Sequence, residues 1–169
     1  MSIAVNIRVA IVTISDSAAA GTREDRSGLA LEQRVAELGW TVAQKVLVPD
    51  ERTLIAKTIA NLCSLDVILT TGGTGLAPRD VTPEAIKMIA EREIPGFGEL
   101  MRSEGLKSTK FAPLSRGGAV TRGSTLIVML PGSPRGAVES LNAVSDLIPH
   151  VVDLLHGRTE HKEKLGASS

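Results

Sequence analysis

Short apolar runs rich in β-branched residues alternate with segments of helical periodicity, and this alternation constrains the fold more than any other feature of the chain. The runs are Arg8–Ile14, Thr41–Val48, Val67–Thr71 and Thr125–Leu130. Three of them are almost continuously apolar, which is typical of strands that are covered on both faces. We therefore predict an α/β fold, a three-layer αβα sandwich with a mainly parallel sheet and a short hairpin.

The segments between the runs carry helix signals. Leu31, Val35 and Leu38 recur at helical spacing before Gly39, and a second apolar stripe follows Asp50. Thr82-Pro83 predicts the start of a third helix, with Thr82 as its N-cap. We expect that helix to continue to Ile94-Pro95-Gly96.

The second half of the chain is less regular. A short helix is expected over residues 97–104, and residues 115–123 predict a loop with the hairpin strand. The last helix begins near Pro134, and Pro149 breaks or kinks it.

Composition limits the classes of protein to which the chain can belong. A length of 169 residues predicts one domain, residues 1–169, with a frayed tail over residues 157–169. Nineteen basic residues balance nineteen acidic ones, which argues against binding to nucleic acid or to an anionic membrane. Cys63 is the one cysteine, and we see neither a signal peptide nor a membrane-spanning run. These observations predict a cytoplasmic protein.

A glycine-rich loop follows the third run, in the segment Thr70-Thr71-Gly72-Gly73-Thr74-Gly75. Glycines adopt positive φ and let successive N–H groups approach an anion, so the loop predicts a phosphate site between a strand and a helix. A plain tight turn is the alternative. The spacing matches neither the Walker A motif nor the dinucleotide fingerprint, so the chain is not a P-loop NTPase.

Two acids lie beside this predicted site. Asp80 follows the glycine loop, and a carboxylate together with substrate phosphates is the usual environment of Mg²⁺. Asp50 follows the end of the second run by two positions and is expected to face the same crevice. The alternative for each is local: Asp80 caps nearby N–H groups and Asp50 is a helix N-cap.

Two further loops are predicted to lie at the same edge of the sheet. In Leu130-Pro131-Gly132-Ser133-Pro134, Ser133 is an N-cap and Pro134 the first helical residue, an arrangement that suits a second phosphate or simple capping. Ser15-Asp16-Ser17 leads into a polar stretch over residues 21–28 that is longer than a minimal turn, and this length is typical of a functional loop or of a solvated lid.

These segments together resemble the MogA/MoaB family of molybdenum cofactor biosynthesis proteins. The most specific match is residues 70–75 followed by Arg79-Asp80-Val81-Thr82-Pro83-Glu84-Ala85, and the similarity extends from Arg8 to Leu155. Further matching segments, in order, are Ser15-Asp16, Asp25 with Ser27-Gly28, Pro49-Asp50-Glu51, Pro95-Gly96-Phe97-Gly98-Glu99, Leu114-Ser115-Arg116 and residues 130–134.

The resemblance implies molybdopterin adenylyltransferase activity, in which ATP and Mg²⁺ adenylylate molybdopterin and pyrophosphate is released. By position, Asp50 and Asp80 match the family's two essential acids, which would act in catalysis and hold Mg²⁺. Gly72, Gly73, Thr74 and Gly75 would cradle phosphate. The other implied binding residues are Ser15, Asp16, Ser115, Pro131, Gly132 and Ser133. The family also implies a homo-trimer or homo-hexamer and a downstream molybdenum insertase as partner.

Two other functions are compatible with the same resemblance. A non-catalytic molybdopterin-binding or carrier protein of the MoaB type would bind the pterin without turning over ATP. A relative of the molybdenum-insertion domain would consume molybdate, but the chain is shorter than the usual multidomain insertase. The presence of both acids favours the transferase.

Overall fold

The centre of the molecule is a six-stranded sheet, seen in a computed structural model that describes residues 6–158. Its strands are β1 (Arg8–Ile14), β2 (Thr41–Val48), β3 (Val67–Thr71), β4 (Arg92–Ile94), β5 (Gly118–Arg122) and β6 (Thr125–Leu130). The strand order is β2-β1-β3-β6-β5-β4. The first four strands in this order are parallel, and β5 is antiparallel to both of its neighbours. The mainly parallel sheet and its hairpin are confirmed.

Helices cover both faces of the sheet. They are α1 (Asp16–Ala19), α2 (Arg26–Glu37), α3 (Arg52–Asn61), α4 (Thr82–Lys87), α5 (Pro95–Gly105), α6 (Pro134–Val144) and α7 (Ile148–Leu155). One apolar core joins the sheet to α2, α5, α6 and α7, and a second joins its other face to α3 and α4. The two cores confirm the three-layer αβα arrangement.

Burial differs sharply between the central and edge strands. Every residue of β3 and β6 is buried, and so is every residue of β1 after Arg8, because both faces of these strands pack against helices. In β2 only Val48 is fully buried. β2 pairs with β1 alone, so it is an edge strand whose last residue reaches the core.

The prediction of one helix from Thr82 to Pro95 is wrong. α4 ends at Lys87, and Arg92–Ile94 forms the strand β4, which pairs with β5. Pro95 begins α5, because its fixed φ suits a first helical turn and its ring disfavours helical backbone at Ile94.

The predicted break in the last helix is confirmed, although Pro149 lies just after it. α6 ends at Val144, and Pro149 is in the first turn of α7. Of the predicted tail, residues 159–169 lie outside the described residues. Among residues 6–158, no helix has both the length and the apolarity needed to cross a bilayer.

Candidate active site

The carboxyl ends of β1, β2, β3 and β6 surround one open cleft of about 480 Å³. Parallel strands release their loops at the same edge, which is where ligands bind in open α/β sheets. The cleft brings together seven of the predicted site residues. They are Ser15, Asp50, Gly72, Gly73, Asp80, Gly132 and Ser133.

Gly72 and Gly73 of the glycine loop line this cleft. Gly72 and Gly73 have φ of +104° and +69°, a conformation that side-chain-bearing residues rarely adopt. Among the described residues, no acceptor pairs with the N–H groups of Gly73, Thr74 or Gly75. Of the three residues, Gly73 lines the cleft, so its N–H group is a candidate for binding an anion.

Thr82 donates two hydrogen bonds to carbonyl groups of this loop. The prediction that Thr82 is the N-cap of its helix is wrong: α4 begins at Thr82, and its hydroxyl donates to the Gly72 carbonyl at 2.9 Å. The Thr82 N–H donates to the Gly73 carbonyl at 3.1 Å. The side chain that looks like a cap thus holds the two glycines in place.

The loop of residues 131–133 lies directly against the glycine loop. The Thr71 hydroxyl donates to the Pro131 carbonyl at 2.7 Å, and a Cβ on Gly132 would lie 3.3 Å from the Gly72 Cα. Ser133 caps α6 by accepting a hydrogen bond from the Gly136 N–H at 3.1 Å, as predicted. The two loops therefore form one continuous surface.

Asp50 is held by the first loop of the chain and is not a helix cap. Its Oδ2 accepts from the Asp16 N–H at 3.0 Å, and the Asp50 N–H donates to Asp16 Oδ1 at 2.9 Å. Glu51 occupies the cap position of α3 without a side-chain hydrogen bond. Arg79 also binds the Asp16 carboxylate, through Nε at 2.5 Å and Nη2 at 2.9 Å.

The two paired acids have opposite pKa shifts. Burial raises the pKa of Asp50, and the negative charges of Asp16 and Asp80 raise it further against the lowering effect of the Asp16 N–H. The hydrogen bonds from Arg79 hold the pKa of Asp16 below its usual value, with help from the Asp50 N–H. The environment of the Asp50 carboxylate therefore favours a nearby cation, whereas the Asp16 carboxylate is already paired with Arg79.

Asp80 follows the glycine loop and lies close to Gly75, where an added Cβ would be 2.7 Å from the Asp80 Oδ2. Its Oδ2 accepts from the Ala77 N–H at 2.9 Å, so it does cap a nearby N–H group. It also lines the cleft and raises the pKa of Asp50 through its charge, which shows that the two carboxylates share one electrostatic environment. Capping and metal binding are compatible because one carboxylate has several acceptor positions.

These donors fit Mg²⁺ better than a transition metal. In the part of the chain that the structure describes, no three His, Cys, Asp or Glu side chains form a metal cluster. Mg²⁺ is commonly held by one or two carboxylates and substrate phosphates. Asp50 and Asp80 supply such carboxylates, and both line the cleft together with Gly72 and Gly73.

A second, smaller cavity of about 190 Å³ lies behind the loop of residues 131–133. Ser115, Pro131 and Ser133 line it, together with apolar atoms of Met101 and Phe111. Ser115 is thus separated from the acids, and Ser133 contributes to both spaces. The predicted crevice consists of two adjoining cavities that share one loop.

The remaining predicted residues, Asp16, Thr74 and Gly75, do not line either cavity. Asp16 reaches the site through its bonds to Asp50 and Arg79. Thr74 and Gly75 line neither cavity, and their carbonyls accept hydrogen bonds from Arg116.

Several cleft residues were not singled out from the sequence. Thr13, Arg23 and Arg26 line the polar cleft. Thr13 also donates to Asp25, which caps α2. The length of the polar stretch over residues 21–28 is the signal that points to them, but it does not distinguish one residue from another.

Comparison with known proteins agrees with this geometry. Residues 10–150 match a family model described as "Probable molybdopterin binding domain". The molybdopterin adenylyltransferase of Helicobacter pylori is 43% identical, with 89% of each chain covered. That of Escherichia coli is 42% identical and covers 89% of this chain and 79% of its own.

Solved structures show the same relationship. The molybdopterin biosynthesis enzyme MoaB from Thermus thermophilus has a TM-score of 0.83 and 51% identity, and covers 89% of this chain and 97% of its own. A structure of MogA also has a TM-score of 0.83, at 33% identity, with 88% and 99% covered. The chain therefore belongs to the MogA/MoaB family of molybdenum cofactor biosynthesis proteins.

Proposed function

We propose that this chain is a molybdopterin adenylyltransferase, which joins the terminal phosphate of molybdopterin to the α-phosphorus of ATP and releases pyrophosphate. The observation that carries the proposal is that Asp50 and Asp80 line one cleft together with Gly72 and Gly73 of the glycine loop. The names of the curated relatives supply the reaction.

The proposed chemistry needs positioning more than proton transfer. The attacking phosphate is already ionised at neutral pH, so no side chain must act as its base. The N–H group of Gly73 in the cleft binds and orients a phosphate oxygen, and Asp50 and Asp80 hold Mg²⁺. When bound, Mg²⁺ neutralises charge that develops on the triphosphate.

We assign the two substrates to the two adjoining cavities. The polar cleft takes the triphosphate, because it contains both acids, the glycine loop and two arginines, Arg23 and Arg26. The smaller cavity beside Ser115 takes the pterin ring, because its walls offer apolar surface with a few polar groups. The reacting phosphates then meet at the loop that both cavities share, next to Ser133.

Purified protein incubated with molybdopterin, Mg²⁺ and ATP labelled at the α-phosphate tests the proposal. We expect labelled adenylylated molybdopterin and pyrophosphate in equal amounts, and neither without Mg²⁺. Asp50→Asn and Asp80→Asn should abolish product, whereas Asp146→Asn, at an exposed turn between α6 and α7, should not. Unchanged transfer in both site variants would contradict the assignment.

A binding protein of the MoaB type is the second candidate. It is favoured by the 51% identity to a MoaB structure, which exceeds the 33% identity to a MogA structure. It predicts that molybdopterin binds tightly and that labelled ATP is not consumed. The same incubation therefore separates the two functions.

We further propose that the protein works in the cytoplasm as a homo-trimer or homo-hexamer and passes its product to a molybdenum insertase. Exposed Leu29 and Leu47 beside the edge strand β2 support self-association, because apolar side chains there are free to contact another chain. Light scattering after gel filtration measures the oligomeric state. A monomer at micromolar concentration would contradict it.

A further inference from the structure

The segment from Thr74 to Asp80 connects the phosphate loop to α4 and carries the acid Asp80. It contains no helix or strand, and Leu76 within it is 67% exposed. Its internal bonds are few: Ala77 and Asp80 exchange two, the Ala77 N–H to the Asp80 carboxylate and the Asp80 N–H to the Ala77 carbonyl. Something outside the segment must therefore fix where Asp80 lies.

Arg116 contacts this segment at both of its ends. Its backbone N–H donates to the Thr74 carbonyl at 2.9 Å, and its Nε donates to the Gly75 carbonyl at 2.9 Å. Its Nη2 donates to the Asp80 carbonyl at 2.7 Å. One residue thus joins the start of the segment to its last residue.

The third nitrogen of the guanidinium, Nη1, reaches the next helix. Arg116 Nη1 binds Glu84 Oε1 in the first turn of α4. The Arg116 hydrogen bond is the main reason that the pKa of Glu84 lies below its usual value, so Glu84 is ionised at neutral pH and keeps this contact. Three acceptors of the site therefore bind the Arg116 side chain and a fourth binds its backbone N–H, and none of these bonds involves the carboxylate of Asp50 or Asp80.

We infer that Arg116 is a positioning residue for the Mg²⁺ site, because it clamps the two ends of the Thr74–Asp80 segment and so fixes the Asp80 carboxylate opposite Asp50. The inference rests on the proposed function, in which Asp80 holds Mg²⁺. Only a planar fork with several fixed donors satisfies these acceptors together. Lysine has one flexible ammonium group and does not replace it.

The test uses the whole chain with Arg116→Lys and Arg116→Ala. Arg122→Lys is the matched control, because Arg122 lies on the neighbouring strand β5 and donates to the Ile89 carbonyl at 2.9 Å, away from the segment. Binding of Mn²⁺ in the presence of ATP is followed by electron paramagnetic resonance. Amide hydrogen exchange is measured on peptides that cover residues 72–80.

We expect both Arg116 variants to weaken Mn²⁺ binding by about tenfold or more, the loss typical when a residue that orients a metal ligand is removed. Exchange in residues 72–80 should accelerate, and the KM for molybdopterin should change little. Arg122→Lys should match the wild type in all three. If Arg116→Ala does not fold, Arg116→Lys decides the question.

Mn²⁺ binding equal to that of the control would overturn the inference, even if exchange accelerates, because Arg116 would then brace the loop without affecting the metal. Absence of Mn²⁺ binding by the wild type would overturn it as well. Wild-type protein that binds Mn²⁺ and ATP but forms no adenylylated pterin would instead refute the proposed function. The inference on Arg116 would then stand or fall on the binding data.

Discussion

Asp16 and Asp50 each accept a hydrogen bond from the backbone N–H of the other, at 2.9 and 3.0 Å. The two residues are 34 positions apart in the chain and follow the neighbouring parallel strands β1 and β2. This exchange ties the ends of the two strands together and points both carboxylates toward the same edge of the sheet.

Asp50→Asn should separate activity from stability. The asparagine side-chain oxygen can still accept from the Asp16 N–H, while the change removes a charge that burial and two neighbouring acids disfavour. We expect adenylyl transfer to fall at least about a hundredfold, a loss typical when one electrostatic contact to a transition state is removed. The urea midpoint should stay equal or rise.

Urea unfolding and the labelled-ATP assay on the same preparation check this prediction. Asp146→Asn is the control, because it removes an acid from an exposed turn. A clear fall in the Asp50→Asn midpoint would mean that the charge of Asp50 stabilises the fold, contrary to the pKa shift.

The raised pKa of Asp50 predicts a pH dependence of defined sign. Between the ordinary value of 3.8 and its raised pKa, Asp50 holds more proton in the folded chain than in the unfolded chain. The contribution of Asp50 to the free energy of unfolding therefore increases as pH falls through that range. The difference in free energy of unfolding by which the wild type lies below Asp50→Asn should shrink accordingly. Activity should fall in the same range, because protonated Asp50 does not bind Mg²⁺.

Asp16 should behave in the opposite way. Its pKa is lowered, so its contribution is present above the ordinary value and disappears as pH falls through the lowered one. The Asp16 side chain is exposed, so salt should weaken this contribution. Unfolding of the wild type and of Asp16→Asn over a pH series, at low and high salt, measures it.

Gly73→Ala should be far more damaging than Gly39→Ala. Both glycines have positive φ, +69° and +78°, so left-handed backbone at an alanine in either position should lower the free energy of unfolding by about 1–2 kcal/mol. A Cβ on Gly73 would also collide with Thr82 Oγ1 and lie 3.3 Å from Asp50 Oδ1. A Cβ on Gly39 meets nothing within 4 Å.

Chemical denaturation and the transfer assay compare these two variants. We expect Gly39→Ala to retain activity and Gly73→Ala to lose both stability and activity. Equal stability losses in the two variants would contradict the prediction, because the loop would then accommodate a Cβ at Gly73 without a collision with Thr82.

Thr82→Val and Thr70→Val should have opposite effects on stability. Both side chains are fully buried, but Thr82 Oγ1 donates to the Gly72 carbonyl, and Thr70 Oγ1 has no partner among the described residues. Thr82→Val should cost about 1–3 kcal/mol, because a buried carbonyl loses its donor. Thr70→Val should be neutral or stabilising.

Free energies of unfolding from urea titrations decide this comparison. The two substitutions exchange a hydroxyl for a methyl group at sites of equal burial, so differences in packing largely cancel. Destabilisation by Thr70→Val equal to that of Thr82→Val would imply that Thr70 has a partner, such as a buried water.

The strands of the central sheet could be predicted because their signal is local. β1, β2, β3 and β6 begin and end where their apolar runs do. β4 could not, because Arg92–Ile94 is short and largely polar, and its conformation depends on pairing with β5, more than 20 positions further along the chain. Local periodicity contains no information about such a partner.

The site was predictable in its loops but not in its hydrogen bonds. Glycine spacing, strand ends and the positions of Asp50 and Asp80 indicate the cleft, and the resemblance adds the catalytic role of the two acids. The sequence does not show that Asp50 binds Asp16, or that the Thr82 hydroxyl binds a carbonyl ten positions earlier. A threonine before proline has the same local sequence whether its hydroxyl caps the helix or donates to a distant carbonyl. Only the folded chain determines which of these partners lies within reach.

The position of β2 at the edge of the sheet has a consequence for heat resistance. β2 is mostly exposed and pairs with β1 alone, and edge segments of this kind open by local unfolding at lower free energy than the core. Asp50 follows its last residue, Val48, by two positions. Warming should therefore detach the Asp50 carboxylate from the cleft while the central strands are intact, so the protein should lose activity, reversibly, before it unfolds.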